Sequence, residues 1–326
     1  MEAFFKNSIK TTEVFNTYWE YANERQNVFL KRVRGEQPPW TNNKILMNHR
    51  FTNVYRACDK VSQYLIKNVI YSFNGNEEDL LFRILLFKTF NKIETWNYLE
   101  EHLGQIQYRT YSFKTYSAAL NNLFVLKTPV YSGAYIMSSG KSEFGRERKY
   151  ENHLLLLEHM FKNGFSSKVL KCSSLKELFE LLFSYPTIGE FLAQQYAIDI
   201  NYSNICDFDE NEFVVAGPGA KSGIKKCFSS IGAFSESDII KYMVDNQEYE
   251  FKKRNLDFQT LWGRKLTLID CQNVFCETDK YARLAHPNIK GLGNRTRIKQ
   301  KYKSGFNPQK VELFFPPKWK LTISEL

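Results

Sequence analysis

The chain has 326 residues, with 45 Lys+Arg against 35 Asp+Glu and a formal net charge of +10. Hydrophobic residues make up 43% and aromatics 16%, enough to bury a substantial core, which excludes a disordered chain. No apolar run approaches the roughly 18 residues of a membrane-spanning helix. MEAFFKNSIKTTEVF lacks the basic-then-apolar pattern of a signal peptide, so the expected location is the cytoplasm, with free cysteines.

Apolar residues recur at helical spacing along most of the chain. Taken in order, the spacing predicts helices over 12–34, 52–71, 77–90, 93–102, 113–126, 151–162, 175–184, 188–200, 235–249 and 270–284. Pro38–Pro39, Asn74–Gly75, Gly140, Pro186, Gly217–Gly219 and Pro316–Pro317 punctuate them. The one clear strand-like run is Lys310–Phe315. There is no internal repeat and no linker composition. The expected fold is mostly α with little β: a single compact helical domain over 1–326, with helix-hairpin-helix-like elements and room for two lobes around a DNA-binding cleft.

Several stretches have the chemistry of nucleic-acid contacts. In 52–71, drawn as a helix, Asn53, Arg56, Lys60 and Gln63 share a polar face, and Arg50 lies beside them. Such residues suit phosphates or base edges, although a solvated helix face explains them equally. Tyr185–Ala193 carries the h-G-x-x-h-A pattern of the second half of a helix-hairpin-helix, which aims helix N–H groups at a phosphate. Thr187 stands where the first hairpin glycine belongs, and a plain turn before a helix fits as well. In 214–226, Gly217, Gly219 and Gly223 are interleaved with Lys221 and followed by Lys225 and Lys226, and resemble an anion cradle. Neither this loop nor Gly140-Lys141-Ser142 has the glycine spacing of a nucleoside-triphosphate loop. From 288 to 310 a glycine-interrupted arm holds Lys290, Arg295, Arg297, Lys299, Lys301, Lys303 and Lys310 without an acid, the composition of a phosphate-binding segment.

The strongest chemical constellation is in 266–281. Asp270 sits where a helix cap belongs. Continuing the helix brings Asp270, Asn273, Glu277, Lys280 and Tyr281 within about 100° of one another, more functional groups than capping requires. Asp279 falls on the opposite side and is expected to be solvated. Asp199 and Asp209 are lower-ranked candidates, Asp209 because it follows Gly189 by twenty residues, the kind of spacing at which hairpin glycosylases place a catalytic aspartate. The six cysteines and five histidines form neither a metal-ligand pattern nor a triad, so no metal or cofactor is expected.

Together, FTNVYRACDKVSQYLI, LFRILLFKTFNKIETW, PTIGEFLAQQYAIDINYS, EFVVAGPGAKSGIKKCF and LTLIDCQNVFCETDKYAR resemble the helical family of alpha-glutamyl/putrescinyl thymine pyrophosphorylases, related to the helical domain of 5-hydroxymethyluracil DNA kinases. The family includes phage-defence DNA glycosylases that act on glucosylated hydroxymethylcytosine. The resemblance spans about residues 48–284 and implies work on hypermodified pyrimidines in double-stranded DNA, with neither a membrane nor a protein partner.

The leading expectation is a metal-independent DNA glycosylase that flips a hydroxymethylated or glucosylated pyrimidine out of phage DNA and leaves an abasic site. Asp270 or Glu277 would assist C1′–N cleavage with Lys280, as carboxylates do in sugar hydrolysis. Asn273 and Tyr281 would contact the base. Arg50, Asn53, Arg56, Gly189, the 217–226 loop, Arg295 and Arg297 would hold DNA. The alternatives are a transferase building hypermodified thymine and a non-catalytic module that only binds modified DNA. The kinase reaction itself is not expected, because the sequence shows no phosphate-binding loop of the triphosphate type.

Overall fold

A computed structural model describes residues 9–302 and 312–323. The chain is mostly helical, with one two-stranded sheet. In order, the elements are β1 (Lys10–Thr11), α1 (Val14–Val33), α2 (Lys44–Asn48) and α3 (Lys60–Tyr64), which runs on as a π-helical turn, Leu65–Ile70. Next come α4 (Glu77–Phe90), α5 (Ile93–Leu103), α6 (Phe113–Val125), α7 (Lys141–Phe144), α8 (Lys149–Lys162), α9 (Phe165–Val169), α10 (Leu175–Phe183) and α11 (Glu190–Asn201). The chain continues through α12 (Pro218–Cys227), β2 (Phe228–Ser230), α13 (Glu236–Lys253) and α14 (Leu268–Ala285). It divides into two compact units: one takes 1–59, 213–313 and 320–326, the other 60–212 and 314–319.

In the first unit α14 packs against α1, α12 and α13. Trp19, Phe228 and Phe275 are buried in its core, and the Tyr18 hydroxyl donates to the Cys271 carbonyl at 3.1 Å. β1 and β2 pair antiparallel, Lys10 opposite Ser230. The closest approach is between α12 and α14. A Cβ at Gly219 would lie 2.9 Å from Cys276 Sγ, and one at Gly223 would run into the Phe275 carbonyl oxygen. These glycines therefore serve helix packing, not anion cradling. The sequence reading left 218–227 as a loop because glycine and proline disfavour helices; tertiary packing overrides that preference here.

In the second unit α4 is apolar on nearly every side, the pattern of a fully buried helix. Of its four buried polar side chains, Asp79 accepts the Arg109 N–H on Oδ1 at 3.2 Å and meets the Arg109 guanidinium at 3.6 Å. Arg83 donates to the carbonyls of Val69 (3.0 Å) and Ile106 (3.1 Å), Thr89 to that of Leu85 (2.8 Å), and Lys88 meets Asp199 at 3.1 Å. Helices α10 and α11 form a hairpin in which Thr187 takes φ +68°, the left-handed conformation usually given to glycine. The partial motif thus folds as a hairpin despite its missing glycine.

The drawn helices otherwise match the observed ones within a few residues, with two exceptions. Residues 52–59 are irregular, ending in one 3-10 turn at Arg56–Cys58, and the helix starts only at Lys60. The expected strand at 310–315 shows no pairing over 312–315, and positions 310 and 311 lie outside the described residues. Gly223→Ala is expected to destabilise the protein by about 1–3 kcal/mol through overpacking. Gly189→Ala, whose Cβ would meet open space, should cost under about 0.5 kcal/mol. Denaturant midpoints of the two variants check the contrast.

Candidate functional site

The face of α14 predicted from helical spacing forms, and the irregular 50–59 segment lies along it. Asn273 Nδ2 donates to the Asn53 carbonyl (2.8 Å) and lies 3.2 Å from Thr52 Oγ1. Glu277 Oε2 accepts the Thr52 N–H at 3.1 Å and meets Lys280 Nζ at 3.3 Å. Lys280 also donates to the Arg50 carbonyl, and its ammonium stands 4.6 Å from the Phe51 ring centroid. The Tyr281 hydroxyl accepts from Asn43 Nδ2 at 2.7 Å, and its ring packs with Tyr21 and Phe51.

Asp270 belongs to the frame beneath this face. The cap is Thr267, one turn earlier than expected, and Asp270 is the third helical residue. Its Oδ2 accepts both the backbone N–H (3.1 Å) and hydroxyl (3.0 Å) of Thr267, the return half of a capping box. Its Oδ1 accepts the Arg56 N–H at 2.8 Å. Burial raises its pKa while these donors pull against the rise. The carboxylate offered by sequence as a catalyst is thus occupied in joining the helix start to the 50–59 segment.

Asn53 is the hub of that segment. It receives Arg25 Nη2 on Oδ1 (2.6 Å), donates Nδ2 to the Cys58 carbonyl (2.7 Å), and gives its N–H to Asp59 Oδ1 (2.7 Å). Its polar groups are therefore engaged within the protein, not presented to DNA. Arg56 is also buried, at 3% exposure. Arg50 is exposed.

Asp59 is a residue that the sequence reading gave no role, because a helix drawn over 52–71 hides the irregular segment that ends at it. Burial pushes its pKa up to about 7, assisted by the charge of Glu277; the Asn53 N–H, Arg25 and Arg56 oppose the rise. Five buried side-chain polar atoms on α1 have no hydrogen-bond partner among the described residues, the Tyr21 hydroxyl and Arg25 Nη1 among them. Arg25 is fixed by the carbonyl of Thr52 (3.0 Å) as well as by Asn53.

The other predicted contacts are dispersed. Asp279, expected in solvent, is buried between α14 and α12. It meets Lys226 Nζ (3.1 Å), Arg283 Nη2 (2.5 Å) and Ser222 Oγ (2.7 Å). Burial would raise its pKa, but those partners outweigh burial and hold it below the ordinary value. Lys226 is consequently an internal ion-pair residue, 3% exposed, and not a DNA contact. The Gly217 N–H is taken by Gln272 Oε1 at 3.0 Å. Lys225, Arg295, Arg297 and Gly189 are exposed, and Lys221 is half-buried. Residues 48–50 pair with 300–302, where Lys301 Nζ reaches His49 Nε2 at 3.1 Å; Lys303 and Lys310 lie outside the described residues. Asp199 is the buried partner of Lys88, and exposed Asp209 accepts the Asn211 N–H at 2.8 Å in a turn. Among the described residues no three His, Cys, Asp or Glu side chains converge as a metal site, and no helix is long and apolar enough to cross a membrane.

A family model described as "5-hmdU DNA kinase, helical domain" matches residues 12–291. The chain belongs to this family. The matched span contains Arg25, Asn53, Asp59, Asn273, Glu277 and Lys280. A relative, the 5-hmdU DNA kinase of Bacillus phage SP10, is 27% identical over 282 residues, covering 79% of this chain. That alignment covers 43% of the relative, so the chain spans less than half of its length. No solved structure matches.

Membership in this kinase family corrects the expected activity. The relative's name is that of a phosphoryl transferase, not a hydrolase that excises bases, so the glycosylase expectation, with abasic sites and antiviral excision, is set aside. Group transfer, the expected alternative, lies nearer to the relative's name.

The capping geometry gives one test of which carboxylates are structural. Asp270→Asn places an amide against buried donors and is expected to cost roughly 2–4 kcal/mol, within the range for broken charged hydrogen-bond networks. Glu277→Gln should cost less than about 1 kcal/mol. Equal losses in chemical denaturation would refute the distinction.

Proposed function

We propose that this chain is the acceptor side of a DNA-modifying transferase: it holds double-stranded DNA carrying 5-hydroxymethyluracil and presents the base's hydroxymethyl oxygen for phosphoryl transfer. The observation that carries the reading is the Asp59 carboxyl, pushed to about 7 beside Glu277 and Arg25 in the network around Asn53. A base of that pKa suits a hydroxyl proton at neutral pH, because proton transfer is most efficient when the catalytic group titrates near the working pH.

The roles follow from position. Asp59 takes the hydroxymethyl proton as the oxygen attacks the phosphorus of a phosphoryl donor, whose own P–O bond breaks so that the donor leaves one phosphoryl group shorter. Arg25, whose Nη1 has no acceptor among the described residues, is the donor for a carbonyl of the base. Glu277 and Asn273 hold the 50–59 segment in register through Thr52 and Asn53. Arg50 and Lys280 supply positive charge for a neighbouring phosphate. The exposed cations Lys225, Arg295 and Arg297, with the Gly189 hairpin, extend the DNA-binding surface. The half-buried setting of Asp59 requires the modified nucleotide to leave the stack. The donor side is not assigned to the 217–223 glycines, since two of them serve the packing of α12 on α14.

Fluorescence anisotropy with duplexes that differ in one base, 5-hydroxymethyluracil or thymine, tests the reading. The chain should prefer the hydroxymethylated duplex by at least about tenfold, the scale of one hydrogen bond to a charged group. Ionised Asp59 is the acceptor, so the preference should strengthen as pH rises through about 7 and fade below it. Asp59→Asn should flatten that pH dependence. Equal affinity for the two duplexes across this range would overturn the proposal.

A further inference from the structure

The second unit carries an open groove of about 420 Å³ between α6 and the start of α8. That volume lies within the roughly 300–1,000 Å³ of ligand sites, but the groove is broad and open to solvent. Lys114, Ser117 and Asn121 line one wall, and Arg148, Tyr150 and Glu151 the other. Its acid, Glu151, accepts the Ser117 hydroxyl at 2.9 Å, and the Tyr150 hydroxyl donates to Asn121 at 3.2 Å.

The cations here are differently placed. Lys114, Arg146 and Arg148 are exposed, and none meets a carboxylate at ion-pair distance among the described residues. Arg148 lies 3.8 Å above the Phe124 ring and Arg146 5.4 Å from that of Phe113. Each guanidinium thus has a phenylalanine ring beside it, and both arginines are exposed. The groove continues into an apolar ledge in which Phe124 is 46%, Val125 67% and Leu126 69% exposed. Arg148 also occupies the N-cap of the fourteen-residue α8, whose first turn has no side-chain cap, so the positive helix end adds to the field.

We infer that this groove binds a single-stranded polynucleotide, with phosphates on Lys114, Arg146 and Arg148 and unpaired bases against the guanidinium planes and the Phe124 ledge. Charge complementarity selects a polyanion. The paired arginine and phenylalanine side chains select one with exposed rings, because guanidinium groups and aromatics stack on bases without regard to sequence. A duplex hides those base faces, and an open groove does not enclose a mononucleotide. This surface is made wholly by the second unit and does not rest on the transferase reading.

The test uses the full chain and a fluorescein-labelled thymidine oligonucleotide, which has no hydroxymethyl group, titrated at several salt concentrations. Substituting Lys114→Gln, Arg146→Gln and Arg148→Gln together should weaken single-strand binding at least tenfold at low salt. The salt slope should fall by about 2, since each single-strand phosphate contact contributes about 0.7. Phe124→Ala should weaken binding severalfold with the slope unchanged, because it removes no charge. If the triple variant melts early, Arg148→Gln alone should still lower the slope by about 0.7. Wild-type affinity and slope in the folded variants would overturn the inference. So would equal losses for a duplex of the same length, or displacement of the oligonucleotide by polyglutamate at equal charge, which would mark an acidic protein partner.

Discussion

The first unit depends on how closely α12 can approach α14. Glycine at 219 and 223 removes the side chains that would strike Cys276 and the Phe275 carbonyl. The backbones then draw together, and Lys226 comes within reach of Asp279, where two cations and a hydroxyl hold the buried carboxylate ionised. An ion-pair network of this kind does little for stability unless its partners are all in place, because each buried charge must be compensated. With that side of α14 consumed by packing, its opposite side is the one along which the 50–59 segment lies. Asp270 completes the arrangement by capping its own helix and holding the Arg56 N–H with the same carboxylate.

The helices were legible because core helices repeat apolar residues at 3.6-residue spacing, as α10 does plainly, while α4 shows as an unbroken apolar run. The reading failed where tertiary packing overruled local preference. Pro218, Gly219 and Gly223 look like a loop by propensity yet form a helix, since the absent side chains are what its neighbour requires. In 52–59 the error ran the other way. Val54, Ala57 and Cys58 are buried as a helix face would be, but the segment is held by Asn53 and Asp270 side chains, not by a helical ladder.

The candidate site was half legible for a related reason. Helical spacing put Asn273, Glu277, Lys280 and Tyr281 on one face, and they are found together. It could not rank the carboxylates, because rank depends on partners drawn from distant sequence. Asp270 is matched by Thr267 nearby and Arg56 from 214 residues away. Asp279 is matched by residues on α12, 53 and 57 positions away. A helical wheel assigned Asp279 to solvent because it knows nothing of the second helix.

What separates Asp59 from the other two is the count of donors. Asp270 receives three hydrogen bonds, and Asp279 is ringed by two cations and a hydroxyl. Among the described residues Asp59 accepts one hydrogen bond, from Asn53, so desolvation is left less opposed and its charged form is disfavoured. The sign of the linkage follows. A carboxyl whose folded pKa of about 7 exceeds its unfolded value binds more protons when folded, so it takes stability away as pH rises between those values. Asp279 is compensated fully enough to stay below the ordinary carboxylate value, and Asp270 in part, since burial still raises it against its three donors. Leaving Asp59 short of donors costs stability at neutral pH and keeps an oxygen able to accept a proton. Carboxyls perturbed in this way concentrate at functional sites, which is the role proposed above for Asp59.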